Sequence, residues 1–247
     1  MKQVTKLSLL QTQSLCAWYG AAQVLFDVDL NVQQGEVVAL MGRNGAGKST
    51  TLKTIMGLLD KRQGRVQFAG QEISRMPAYR IARMGLGFVP EDRRIFTELT
   101  VMQNLEVGRQ AARCRPGEDS HMPEWTPEKL FALFPNLKEM PDRLAARMSG
   151  GEQQMLTVAR TLMGNPYLIL LDEPSEGIAP VIVEQMAQMI LTLKAQGVSV
   201  LLSEQNLPFA RLVADRAYLL EKGQVRYQGR MSELLENEAV QREYLTI

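Results

Sequence analysis

The chain has 247 residues, 45% of them hydrophobic, and 28 Lys and Arg against 27 Asp and Glu leave a net charge of +1. That is enough apolar material for one large core or a core with an attached subdomain, and an even balance without long runs of like charge argues against a nucleic-acid partner. No apolar stretch approaches the roughly 18–20 residues that cross a bilayer, residues 1–13 lack the apolar core of an export signal, and Cys16 and Cys114 fit neither a metal site nor a disulfide framework, so a reducing cytoplasm is expected.

Short β-branched runs alternate with helical patterns, which predicts an α/β domain around a mostly parallel sheet. Residues 24–32 read as a strand, with Gln34-Gly35 as the turn behind it. Residues 37–41 are apolar throughout, the pattern of a strand buried on both faces, and a helix is predicted to start near Lys48. Residues 64–68, closed by the turn Ala69-Gly70, belong with 24–32 in a smaller antiparallel sheet. From about 98 to 146 helical spacing takes over, with Leu130, Leu133 and Phe134 on one face, so this part reads as a helical subdomain. Within it, residues 114–127 hold Pro116, Gly117, Pro123 and Pro127 among polar neighbours and are expected to form an exposed loop; His121, the single histidine, reads there as a solvated residue. Buried strands return at 167–171 and 198–202, separated by a helix over 181–194 that follows Pro180 and stops at Gly197. The expected organisation is one domain over 1–247, with 1–97 and 147–247 as its core and 98–146 as the helical part.

The strongest chemical signal is Gly42-Arg43-Asn44-Gly45-Ala46-Gly47-Lys48-Ser49, a phosphate-binding loop between a strand and a helix. Its glycines let backbone N–H groups converge on phosphate oxygens, and the helix that follows presents its positive end. Lys48 is placed to reach the β- and γ-phosphates of ATP; the Ser49 hydroxyl suits Mg²⁺, and Thr50 adds a second hydroxyl near the phosphates. Further on, the apolar run 168–171 delivers Asp172 and Glu173 at a strand end, where ligands collect in open α/β sheets. Asp172 is expected in the Mg²⁺ shell and Glu173 facing water, with Pro174 turning the chain so that both carboxylates reach one site. Met148-Ser149-Gly150-Gly151-Glu152-Gln153-Gln154 is a second Gly-rich helix start, in which Ser149 and the Gly150 and Gly151 amides suit phosphate oxygens; Ser149 and Glu152 also fit a capping box.

This last stretch resembles the signature motif of ABC ATPases, and with the phosphate loop and the Asp172-Glu173 pair the resemblance covers nearly all residues from Leu7 onward. It implies a P-loop NTPase fold of the ABC nucleotide-binding type, and a homologous facing subunit whose ATP site is completed by Ser149, Gly150 and Gly151. It also implies that Tyr19 stacks on adenine, that Glu91 in Val89-Pro90-Glu91 stands where a Gln senses Mg²⁺ and water, and that residues 175–180 cross between subunits. Two positions depart from the general pattern. Glu91 would add a carboxylate beside Asp172 and Glu173, and Gln205 stands where most relatives carry a His at the γ-phosphate; an amide donates a hydrogen bond there but carries no charge. Val-Pro-Glu, Glu-Gly-Ile-Ala-Pro and Glu-Gln-Asn together are similar to the branched-chain amino acid importers, with importers of urea, amides or other polar solutes as the alternative. The resemblance then implies ATP hydrolysis using Glu173, Lys48 and Gln205, two transmembrane permease subunits docked near 91–96, a separate solute-binding protein, and a peripheral place on the inner face of the cell membrane. A soluble ABC ATPase acting on ribosomes, chromosomes or DNA is the competing class.

Overall fold

A computed structural model describes residues 8–114 and 124–245. The first half of the chain gives β1 (Ser8–Tyr19), β2 (Ala22–Gln33), β3 (Val37–Met41), α1 (Lys48–Ile55), β4 (Arg62–Phe68), β5 (Gln71–Glu72), α2 (Ala78–Arg83) and β6 (Leu86–Val89). Then come α3 (Val101–Gly108), α4 (Pro127–Leu133), α5 (Pro135–Lys138) and a short 3-10 turn (Ala145–Arg147), followed by α6 (Gly150–Leu162), β7 (Leu168–Asp172), α7 (Pro180–Ala195) and β8 (Ser199–Glu204). The chain closes with α8 (Leu207–Val213), β9 (Arg216–Glu221), β10 (Gln224–Arg230), α9 (Met231–Glu236) and α10 (Glu238–Tyr244).

Six strands form a sheet in the order β10-β9-β3-β8-β7-β6, parallel except for the β9–β10 hairpin. Every residue of β3, β7 and β8 is buried, as expected of strands covered on both faces. Alternate residues feed two different cores. Ala39, Leu171 and Leu202 face the side covered by α6, α7 and α8, through Leu156, Met186 and Phe209. Val38, Leu170 and Leu201 face the side covered by α1 and the second sheet, through Leu52, Leu10 and Phe68. Each such Leu or Val contributes about 1.5–3 kcal/mol by leaving water, which makes this sheet the rigid frame on which the strand-end loops are mounted.

The second sheet is antiparallel, in the order β2-β1-β4-β5. Its long strand β1 escapes sequence patterning for a local reason. Leu10 and Thr12 are buried on even positions, Leu15 and Ala17 on odd ones, because Ser14 adopts φ 47° and slips the register by one. The Ser14 N–H freed by this bulge donates to Asp29 at 2.6 Å. Gly64 of β4 lies against the same bulge: a Cβ there would sit 2.2 Å from the Ser14 carbonyl oxygen. The two sheets are joined by Arg216 of β9, which pairs with Glu36 at 2.6 Å and donates to the Asn31 side chain at 2.8 Å.

The expected strands at 167–171 and 198–202 are found at Leu168–Asp172 and Ser199–Glu204, since Asp172 still pairs with Ser203 in parallel register. Leu130 and Phe134 are buried and Leu133 packs against the core from the edge, as the helical spacing predicts. The loop expected over 114–127 is corrected at its end. Residues 115–123, with His121, lie outside the described residues, but Trp125 is 3% exposed, its N–H donates to Asn165, and Pro127 is buried at the start of α4. A large apolar ring among polar neighbours still seeks the core.

Gly64→Ala should therefore cost roughly 1–3 kcal/mol, combining left-handed backbone strain with a clash against backbone. Gly70→Ala shares a positive φ but meets open space and should cost less. Urea unfolding of both variants checks the difference; equal losses would mean the Ser14 bulge yields without cost.

Candidate functional site

β3 runs straight into residues 42–47, and this loop is held from behind by the β9–β10 turn. The Gly223 N–H donates to the Ala46 carbonyl at 2.8 Å, and the Gly223 carbonyl accepts from Phe26 at 2.9 Å. Gly42 passes so close to β9 that a Cβ would lie 2.3 Å from the Leu220 carbonyl oxygen. No side chain caps the start of α1 and no acid stands in its first turn, so its positive end is left open to an anion.

Lys48 is 4% exposed and its ammonium has three partners: the carbonyls of Gly42 at 2.7 Å and Arg43 at 3.2 Å, and the Glu173 carboxylate at 2.9 Å. All three of its N–H donors are engaged. Glu173 adopts φ 48°, so the turn that brings two neighbouring carboxylates to one site begins at this residue, just before Pro174. Contrary to the expectation that it faces water, Glu173 is 6% exposed. Burial pushes its carboxyl above the usual range, against the opposing pull of Lys48, with the charges of Glu176 and Asp172 adding to the rise.

Asp172 is fully buried. One oxygen accepts from Ser49 at 2.8 Å and from Ser203 at 2.7 Å. The other, together with one oxygen of Glu173, is buried without a hydrogen-bond partner. The orphaned Asp172 oxygen beside the Ser49 hydroxyl makes a hard, all-oxygen donor set, which fits Mg²⁺, and the orphaned Glu173 oxygen is left open to a further partner. Among the described residues no group of three or more His, Cys, Asp or Glu could hold a metal alone, so phosphate oxygens and water would complete such a shell.

A cavity of about 350 Å³ opens over these groups, lined by Asn44, Gly45, Gly47, Lys48, Ser49, Thr50, Glu91 and Glu173, with Val24 and Glu176 beside them. Other expected residues stand elsewhere. Arg43 and Ala46 line a neighbouring cavity against Leu220 and Tyr244. Tyr19 is 48% exposed at the end of β1, outside the lining. Gln205 is exposed and lines a separate cavity with Pro208 of α8 and Gln241 of α10. Glu91 sits exposed on the rim of the cavity that Glu173 also lines, and Glu176 and Asp172 are among the carboxylates whose charge acts on Glu173. Ser149, Gly150 and Gly151 start α6 away from this cavity. Ser149 accepts from the Glu152 N–H and Glu152 accepts from the Ser149 N–H, so the capping box is formed.

Ser203 and Glu176 were missed by sequence reasoning. The signal for Ser203 was available: 168–173 and 199–204 both end apolar runs with a polar residue followed by Glu, in register as parallel strands. Ser203 Oγ donates to Asp172 and accepts from the Glu173 N–H at 3.0 Å. Removing it in Ser203→Ala should cost about 1–3 kcal/mol in urea unfolding, the penalty for stripping buried polar groups of a partner. An unchanged midpoint would mean that water replaces it.

Residues 25–176 match the family model described as ABC transporter. Over 237 residues the chain is 42% identical to the high-affinity branched-chain amino acid transport ATP-binding protein BraG of Pseudomonas aeruginosa, covering 96% of this chain and 99% of that one. It is 34% identical over 241 residues to the lipopolysaccharide export system ATP-binding protein LptB of Haemophilus influenzae, covering 97% and 98%. Among solved structures, a nucleotide-free ATP-binding cassette from an ABC transporter matches with a TM-score of 0.78 at 29% identity, covering 95% of this chain and 97% of that one.

Proposed function

We infer that this chain, which belongs to the ABC transporter family as an ATP-binding subunit and is an ATPase coupled to transport, energises the uptake of branched-chain amino acids. The observation that carries the cargo is the near full-length match to BraG. The similarity to LptB favours a second reading, in which the same ATPase serves a transporter of another solute.

The site suggests how hydrolysis proceeds. An incoming triphosphate meets the open end of α1 and offers Lys48 oxygens that compete with Glu173 for its ammonium. Once released, Glu173 has a raised pKa and a free carboxylate with which to orient and deprotonate an attacking water. Ser49 and Asp172 would hold Mg²⁺, which would neutralise phosphate charge. Ser203 keeps Asp172 aimed at that position. Ser149, Gly150 and Gly151 lie away from the cavity of their own chain, in keeping with the reading that they serve the nucleotide of a facing homologous subunit, while Tyr19 stacks on adenine and Gln205 donates to the γ-phosphate.

No helix among the described residues is long and apolar enough to cross a membrane. A groove of about 460 Å³ bounded by Leu58, Phe88, Pro90, Phe96, Val107 and Arg160 is where a helix of one permease subunit docks at the inner membrane face. From there the loop at 91–96 leads to α6. Thr157 donates to the Arg93 carbonyl at 2.9 Å, Arg160 donates to the Arg94 carbonyl at 2.7 Å, and the Arg93 guanidinium lies against Gly150. Both arginines hold positive φ, which marks a loop constrained by its contacts.

Glu173→Gln should retain ATP binding and lose turnover by about 10²–10⁴-fold, the usual contribution of a general base. Undiminished turnover sinks this assignment. Arg94→Glu should reduce recovery of the permease subunits with this chain from solubilised membranes while ATP affinity stays unchanged; full recovery would move the docking site elsewhere.

A further inference from the structure

β8 ends in Ser203-Glu204, and Glu204 lies under both of the loops that leave the central strands. It is 1% exposed. One carboxylate oxygen accepts the Ser175 N–H at 3.1 Å and the other accepts the Asn206 N–H at 3.1 Å. The first amide is two residues beyond Glu173, and the second adjoins Gln205. The carboxylate is met by these two backbone N–H groups and by the Ser175 side chain, not by a cation, at the end of a strand in which Val200, Leu201 and Leu202 are buried beside Ser199 and Ser203. A carboxylate buried in this way is costly unless its two acceptors do something that an apolar side chain cannot.

We propose that Glu204 is a positioning residue for hydrolysis, one carboxylate that clamps the loop carrying Glu173 to the loop carrying Gln205 so that both are presented to nucleotide as a unit. The proposal rests on the hydrolytic reading given above. Ser203 and Glu204 divide the work: Ser203 fixes the Glu173 amide and Glu204 the Ser175 amide, so the chain on both sides of Pro174 is tied to β8. A glutamine offers one acceptor oxygen and would turn an amino group toward the other N–H.

Burial raises Glu204 to about 7, against the hydrogen bonds from Ser175 and Asn206, with the charge of Glu173 adding to the rise. The charged groups on that side are Glu173, its partner Lys48 on α1, and Asp172 and Glu176 beside it. Ionised Glu204 makes charge-assisted bonds to both amides, so the clamp tightens as pH rises through 7 and slackens below it. Its contribution to global stability has the opposite sign. A carboxyl whose folded pKa is raised favours the folded state when protonated, and that advantage is lost as pH rises from the unfolded value toward 7. A purely structural residue would follow the second trend, a positioning residue the first.

The test uses the full chain, wild type and Glu204→Gln, between about pH 6 and 8.5, reading kcat, KM, equilibrium ATP binding, and hydrogen–deuterium exchange of the segments holding Ser175 and Asn206 after correction for intrinsic exchange. Wild-type kcat should rise several-fold, up to about tenfold, through pH 7 while KM stays within about twofold; Glu204→Gln should flatten that rise, lower kcat at pH 8 and leave ATP affinity unchanged. A variant with wild-type kcat and pH profile overturns the proposal. If the variant fails to fold, exchange in the wild type decides: protection of the two segments that increases from pH 6 to 8 upholds the clamp, and a flat profile overturns it. A wild-type chain that hydrolyses no ATP would refute the hydrolytic reading instead, and the exchange data would still report on the clamp.

Discussion

The Lys48–Glu173 ion pair is the contact on which the rest of the site depends. It sits in a place where neither partner is open to water, and it joins the helix after β3 to the turn after β7. A buried pair of this kind returns little net stability against the cost of desolvating both charges, and breaking it by removing one partner is far more costly than never having it. Its value is therefore chemical. An ammonium whose third partner is a carboxylate can exchange that partner for a phosphate oxygen at little electrostatic cost, and the exchange leaves a carboxylate of raised pKa beside the phosphates.

Everything around this pair serves to hold its two ends at a fixed separation. β3, β7 and β8 are buried on both faces and paired in register, so Met41, Asp172 and Ser203 end near one level of the sheet. The loop after β3 is braced from behind by Leu220 and Gly223, and the turn after β7 is braced by Ser203 and Glu204. Ligand chemistry thus concentrates at the carboxyl ends of parallel strands, where side chains from separate parts of the chain converge. The groove on the far side of the loop at 91–96 lies outside this cluster, but Arg93, Arg94, Thr157 and Arg160 give it a packed route to the start of α6.

Much of this was legible in the sequence, for reasons that differ by residue. The phosphate loop, Asp172 and Glu173 are read from local spacing next to apolar runs, and spacing survives folding unchanged. The three central strands were legible because double-sided burial demands continuous apolar residues. β1 was not, because the bulge at Ser14 shifts its alternation midway and no local signal announces the slip. The burial of Glu173 and Trp125 also lay beyond reach, since each depends on partners distant in the chain: Lys48 for the first and Asn165 for the second. Tyr19 and Gln205 were assigned by resemblance, and within one chain neither lines the cavity over Lys48.

The most direct test of the central claim is a structure of this chain with a non-hydrolysable ATP analogue, read at one distance. The account predicts that Lys48 Nζ, now 2.9 Å from Glu173, moves onto phosphate oxygens and leaves Glu173 beyond ion-pair range. A bound analogue with the Lys48–Glu173 pair still closed would contradict it, and Glu173 would then be a structural counter-ion of the loop with no part in activating water.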